Sequence, residues 1–226
     1  MKFIIIGLGN FGASLGGKLV ELGHEVIGVD ASMDRVERWK NKITHTIALD
    51  AANPEALQSL PLLDVDVVIV AIGELEGVII MVAALLKQAG VKRIICRVVS
   101  PLQKTILETM SLHEFVYPEE SSAARLAYRL DIKGVIDSHK VNDTHQILET
   151  NVPGRMVGRK VSDLDLHKYE LTLVAVTRMT EEKNVLGTRS KTRKTVCKLT
   201  PDLELLDKDT LILFGEVSAL EVFLES

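Results

Sequence analysis

The chain has 226 residues, of which 46% are hydrophobic and 26% charged, near globular averages that exclude a disordered, collagen-like or disulfide-framework protein. Its 27 Lys and Arg stand against 31 Asp and Glu, and the formal net charge of −4 excludes a surface that acts as a whole as a nucleic-acid or anionic-lipid footprint. The length allows one or two domains.

From the first residues, short β-rich runs alternate with helical patterns. Residues 2–6, 25–30, 44–49, 65–71 and 93–98 read as extended, and residues 12–22, 35–41, 54–60, 77–90 and 101–110 as helical. Runs such as Ile4-Ile5-Ile6 and Val67-Val68-Ile69-Val70 are unbroken apolar stretches, the mark of strands buried on both faces. The spacing therefore predicts βαβ units and a parallel sheet. A short apolar run, Phe115-Val116-Tyr117, follows. An amphipathic helix comes next over 119–131, with Ala123, Leu126, Ala127 and Leu130 at i, i+3, i+4 and i+7, and Gly134 ends or bends it. From about residue 139 the grammar is that of a smaller α+β unit, extended at 146–149, 171–178 and 210–214 and helical at 161–166 and 217–224. Turns are expected at Pro153-Gly154, 181–184 and Asp207-Lys208-Asp209.

The fold class read from this order is α/β: a Rossmann-like doubly wound parallel sheet over 1–118, then a crossover segment over 119–138 that carries the dimer contact, then a small α+β C-terminal lobe over 139–226. The longest apolar stretches, 65–73 and 77–86, are about ten residues each against the ~20 of a spanning helix. Met1-Lys2 leads straight into Phe3-Ile4-Ile5-Ile6 with no cleavable signal, so a cytoplasmic protein is expected. Cys96 and Cys197 lack metal-ligand spacing, and the six histidines are not paired at i, i+3 or i+4, so no metal site is expected. Trp39 and the stripe Ile80, Ala83, Ala84 and Lys87 read as core or helix surface.

The strongest local signal is Gly7-Leu8-Gly9-Asn10-Phe11-Gly12, placed directly after the first strand and opening the first helix. Glycines there let the backbone turn tightly and approach a diphosphate, and the helix N-terminal N–H groups face the anion. Asp30 ends the second strand, where a carboxylate accepts both ribose hydroxyls of an adenosine and repels a 2′-phosphate. The alternative is a tight strand-to-helix turn with no ligand. Gly16 and Gly17, each costing about 1 kcal/mol relative to Ala within a helix, suggest close helix-to-strand packing. Arg35 could hold a 2′-phosphate, but it lies a turn into the next helix and reads rather as part of a solvated helix face. Three further strand ends converge on the same crevice: Asp50-Ala51, Ala71-Ile72-Gly73-Glu74, and Arg97, whose alternatives are a phosphate contact and a surface salt bridge.

The motif with its first strand, the 23–30 strand ending in Asp30, Asp50-Ala51, Val68-Ile69-Val70-Ala71-Ile72-Gly73 and Val116-Tyr117-Pro118-Glu119 together resemble the RCK (KTN) proteins, the cytoplasmic gating subunits of Trk and Ktr potassium uptake systems. The likeness spans nearly the whole chain, through the 202–215 stretch of the C-terminal lobe. It implies an adenine nucleotide, NAD/NADH or ATP/ADP, as cofactor. Gly7, Leu8, Gly9, Asn10, Phe11 and Gly12 would hold the phosphates, Asp30 the ribose, Asp50 and Ala51 the adenine side, Ile72 and Gly73 the flank, and Arg97 the phosphates. Glu119 matches an acidic position near the terminal phosphate across the dimer. Asn10 departs from the arginine that ATP-responsive members often carry. The implied partners are a membrane-embedded potassium pore subunit and further copies of the chain, a homodimer assembling into a higher ring, with no nucleic acid.

The rival class is an NAD-dependent oxidoreductase. Hydride transfer needs a placed acid or base beside the nicotinamide, and the last ~85 residues offer no such constellation. Residues 183–201 hold Lys183, Arg189, Lys191, Arg193, Lys194 and Lys198 with no acidic residue. That stretch reads as a solvated, mobile loop or as an anion, nucleotide or membrane-surface contact.

Overall fold

The computed structural model describes residues 1–73, 75–183, 189–196 and 199–225, the side chains of 181–183 and 189–193 excepted. Contacts divide the chain into two units, Met1–Glu119 and Glu120–Ser226.

The first unit is built on six strands, β1 (Lys2–Ile6), β2 (Glu25–Asp30), β3 (His45–Ala48), β4 (Val67–Val70), β5 (Ile94–Arg97) and β6 (Phe115–Val116). They form one sheet in the order β3-β2-β1-β4-β5-β6, with every pair parallel. The helices α1 (Asn10–Glu21), α2 (Met33–Trp39), α3 (Pro54–Gln58), α4 (Glu76–Gln88) and α5 (Pro101–Thr109) connect them.

Two-sided burial explains the unbroken apolar strands. Side chains alternate across a strand, so Ile4, Ile6, Val68 and Val70 enter one core with Ile79, Val82 and Leu86 of α4 and Leu107 of α5. Phe3, Ile5, Val67 and Ile69 enter another, with Ala13 of α1 and Val36 of α2. On α4 the buried set is Ile79, Val82, Ala83 and Leu86; of the stripe read above as core or helix surface, Ala83 is core, Ile80 is partly buried, and Ala84 and Lys87 are exposed.

Two of the connecting helices start at polar side chains that cap them. Asn53 accepts from the Glu55 and Ala56 N–H groups at the start of α3, and the Ser100 hydroxyl accepts from the Gln103 N–H at the start of α5. The other three, α1, α2 and α4, have no side-chain cap, and of these α1, with Gly9 at its N-cap, has no acidic residue in its first turn.

The second unit takes in α6 (Pro118–Asp131) from Glu120 onward and contains β7 (Val135–Lys140), β8 (His145–Asn151), β9 (Thr172–Lys183), β10 (Arg189–Thr195), β11 (Thr210–Glu216) and α7 (Val217–Glu225). Its antiparallel sheet has the order β10-β9-β11-β8-β7. Leu148, Val176, Leu211 and Leu213 pack there with Leu220 and Phe223 of α7. Arg155 donates to the Phe223 and Leu224 carbonyls, satisfying the end of α7.

Three expectations change here. Residues 135–138, assigned above to the crossover, belong to β7, which starts directly after Gly134 at φ +93. The helix expected over 161–166 is two short 3-10 turns, Val161–Leu164 and Leu166–Tyr169, because Asp165 between them takes a left-handed φ of 50°. The basic stretch is not one loop: residues 189–195 pair in register with β9, Arg189 opposite Lys183 and Thr195 opposite Thr177, and residues 181–183 of the turn expected at 181–184 belong to β9. Residues 184–188 and 197–198, with Cys197 and Lys198, lie outside the described residues.

Candidate functional site: a crevice at the carboxyl ends of the parallel strands

A crevice of about 780 Å³ opens where β1 to β5 end. That volume lies within the ~300–1,000 Å³ of small-molecule sites. Gly7, Leu8, Gly9, Asn10 and Phe11 line it from the first turn, Asp30 from β2, Asp50 and Ala51 from beyond β3, Ile72 and Gly73 from beyond β4, Arg97 from β5, and Glu119 from α6. Of the expected residues, Gly12 does not line it and is buried behind the turn, and Glu74 lies outside the described residues.

The three glycines of the motif answer to different constraints. Gly7 has φ +103, and a Cβ there would stand 2.9 Å from the Ile72 nitrogen. At Gly12 a Cβ would fall 2.0 Å from the Gly7 carbonyl oxygen. Both are required by the chain itself. Gly9 has an ordinary φ of −70° and nothing within 4 Å of a Cβ, so packing does not demand it. Its open side faces the crevice, beside the uncapped α1 N-terminus with its free N–H groups and positive dipole end.

Asp30 is buried and braces this turn. One carboxylate oxygen accepts the Leu8 N–H at 2.7 Å and the other accepts the Ser32 N–H at 2.8 Å. A carboxylate has about four acceptor positions, so two remain for ribose hydroxyls. Arg35, exposed as read above, also places Nη1 3.5 Å from Asp30 Oδ2 and lines the crevice together with Arg38 and Trp39. Sequence reasoning weighed Arg35 only for a 2′-phosphate, read Trp39 as core or helix surface, and missed Arg38. Their i, i+3, i+4 spacing, one turn beyond an acidic strand end, was the available signal.

On the opposite side, Arg97 lies over Gly73, where a Cβ would stand 2.3 Å from Nη1. Its Nη2 pairs with Glu119, while its Nε is buried without a hydrogen-bond partner. Of the two alternatives for Arg97, the structure shows the salt bridge. Asp50 Oδ1 accepts the Ala52 N–H, which shapes the turn beyond β3. Uncapped amides, an open glycine and an under-satisfied guanidinium suit the phosphates of a nucleotide, with Asp30 suited to its ribose.

A parallel sheet with a glycine turn and an acidic strand end at such a crevice defines the Rossmann-like nucleotide-binding class of domain. Residues 3–118 match the TrkA-N domain, and the chain belongs to that family. It is 32% identical over 178 residues to the Ktr system potassium uptake protein C of Bacillus subtilis (strain 168), covering 78% of this chain and 80% of that protein. Among solved structures it is similar to the GsuK RCK domain, with a TM-score of 0.65 and 17% identity over 100% of this chain. It is also similar to the GsuK channel bound to NAD, with a TM-score of 0.62 and 17% identity over 99% of this chain. The chain spans 48% and 38% of those two chains, and at such identity the likeness is one of fold. The RCK resemblance and the α/β fold class read from the sequence both hold.

Proposed function

We propose that the protein is the cytoplasmic nucleotide-sensing subunit of a potassium uptake system, seated at the inner face of the membrane through a separate pore subunit. Occupancy of the crevice biases the arrangement of paired copies, and that bias opens or closes the pore. A ligand shifts such an equilibrium only by its difference in affinity for the two arrangements. The potassium role rests on the Ktr relative; the nucleotide role rests on the crevice.

The carrying observation is Gly9. It is a glycine that the fold does not need, at a helix N-terminus left without a cap, facing the space a diphosphate would fill. The Ktr relative also supports a binding subunit over an NAD-dependent oxidoreductase. Adenine nucleotides, NAD/NADH or ATP/ADP, are the ligands to try. Thermal melting with each should raise the Tm, since a ligand at 100-fold its Kd stabilises by about 2.7 kcal/mol. Gly9→Ala should weaken binding at least tenfold. No shift with any of the four would sink the nucleotide role.

The homodimer contact belongs on α6, a helix with no buried residue that leaves Leu126 44% and Leu130 76% exposed. Light scattering should report a dimer or a larger ring. Leu126→Glu with Leu130→Glu should reduce it to monomer, and a monomeric parent would count against this assembly.

A further inference from the structure

We infer that the two-stranded arm formed by β9 and β10 is a docking face for an anionic lipid surface. The inference is independent of the nucleotide reading, because it uses neither the crevice nor its ligand.

Charge is unevenly distributed along this chain. Six of the 27 Lys and Arg fall within residues 183–198, a stretch with no acidic residue. The whole chain carries −4, so setting those six positive charges aside leaves the rest at −10. An anionic surface therefore attracts this stretch and repels the chain as a whole elsewhere.

Strand pairing turns that composition into a face. The strand β11 pairs with β9 over Thr172–Thr177, and the remaining residues of β9, 178–183, pair among the described residues with β10 alone. Beyond Thr177 the sheet is thus reduced to a two-stranded arm. Directly opposite residues of an antiparallel pair share a face, and the next residue along belongs to the other. One face therefore takes Lys183, Arg189, Lys191 and Arg193, with Glu181 opposite Lys191 and Met179 opposite Arg193. Alternate positions along a strand lie about 7 Å apart, so the four basic positions form one compact array. Met179 is exposed, which leaves its end of this face open to solvent.

The fold itself gains little from the array. Arg189 opposite Lys183 is a like-charge pair, which costs stability. Basic residues on an edge strand discourage pairing with another chain, but that role does not call for Lys183 on β9. An anionic surface spanning both strands offsets the repulsion. Clusters of about four to eight Lys and Arg are the size that anionic headgroups hold, each residue strengthening binding about fivefold. No aromatic residue lies between Tyr169 and Phe214, so the arm offers nucleic-acid bases no stacking platform, and a headgroup layer is the better match.

Co-sedimentation of the full, nucleotide-free chain with vesicles tests this. Vesicles of phosphatidylcholine mixed with phosphatidylglycerol should bind it and vesicles of phosphatidylcholine alone should not. Salt near 1 M, where the Debye length is ~3 Å, should release it. Arg189→Gln, Lys191→Gln and Arg193→Gln together should weaken binding about hundredfold, whereas Arg189→Lys with Arg193→Lys should retain it. Lys18→Gln, Lys40→Gln and Lys104→Gln together remove the same charge from exposed ion pairs of the first unit and should change binding less than about threefold. Melting checks that each variant folds, and where the triple β10 variant does not, Arg189→Gln with Lys191→Gln should still weaken binding about 25-fold. The assignment is overturned if the parent ignores the mixed vesicles, binds both kinds equally, or loses nothing in the β10 variants. Tighter binding to a DNA duplex than to the mixed vesicles overturns it as well. None of these outcomes bears on whether the crevice takes a nucleotide.

Discussion

Within one six-residue motif, identical residues do unlike work. Gly7 and Gly12 are glycines because backbone atoms occupy the place of a Cβ, whereas Gly9 is bounded by open space. Gly12→Ala should therefore destabilise the protein by about 2–3 kcal/mol, as overpacking against a rigid carbonyl does. Gly9→Ala should stay within about 1 kcal/mol of the parent, and urea unfolding of the two variants measures the contrast. Cys96 is the other residue whose chemistry depends on burial, which pushes its thiol from 9.0 up to about 12. The native state therefore keeps a proton that the unfolded chain releases. Its contribution to stability is full below about pH 9 and is lost as the pH rises toward 12. In a Cys197→Ser background the native thiol should resist Ellman's reagent at pH 8 and react once the chain is unfolded. The motif glycines and Asp30 were legible because their spacing is local. Arg35 was not, because its direction depends on how α2 lies beside β2.

At the scale of elements, periodicity located the helices better than it oriented them. In α4 apolar residues run nearly all the way round, so several stripes fit the sequence and only packing on β4 and β5 selects Ile79, Val82, Ala83 and Leu86. In α1 the paired glycines separate: a Cβ at Gly16 would press on Ile43 and Ile5 at 3.0 and 3.3 Å, but Gly17 meets nothing within 4 Å. Gly17→Ala should thus stabilise the protein by about 1 kcal/mol through helix propensity, seen as a higher Tm, while Gly16→Ala should not. The β9 and β10 pairing escaped sequence reading because a basic, polar run resembles a solvated loop. Its register along β9 comes from backbone hydrogen bonds made across the hairpin. The 3-10 turns after β8 escaped because Asp165, though of a type enriched in the left-handed region, adopts it only in some contexts, which makes its identity a weak signal.

For the whole molecule, each unit has its own core, the first around its parallel sheet and the second around its antiparallel one. Residues 1–119 expressed alone should unfold in a single cooperative transition and keep nucleotide affinity within about threefold of the full chain, by circular dichroism and calorimetry. A molten or aggregated fragment would show that the first unit depends on the rest. The sequence by itself determined the parallel strands, the glycine turn, the acidic strand end and the family, because each is written in contiguous residues or in a simple period. Tertiary structure alone decided that Gly12 supports the crevice from behind, that Arg35, Arg38 and Trp39 line it, and that Glu119 holds Arg97. These facts depend on residues far apart in the chain meeting at the ends of neighbouring strands, and no local pattern encodes such a meeting.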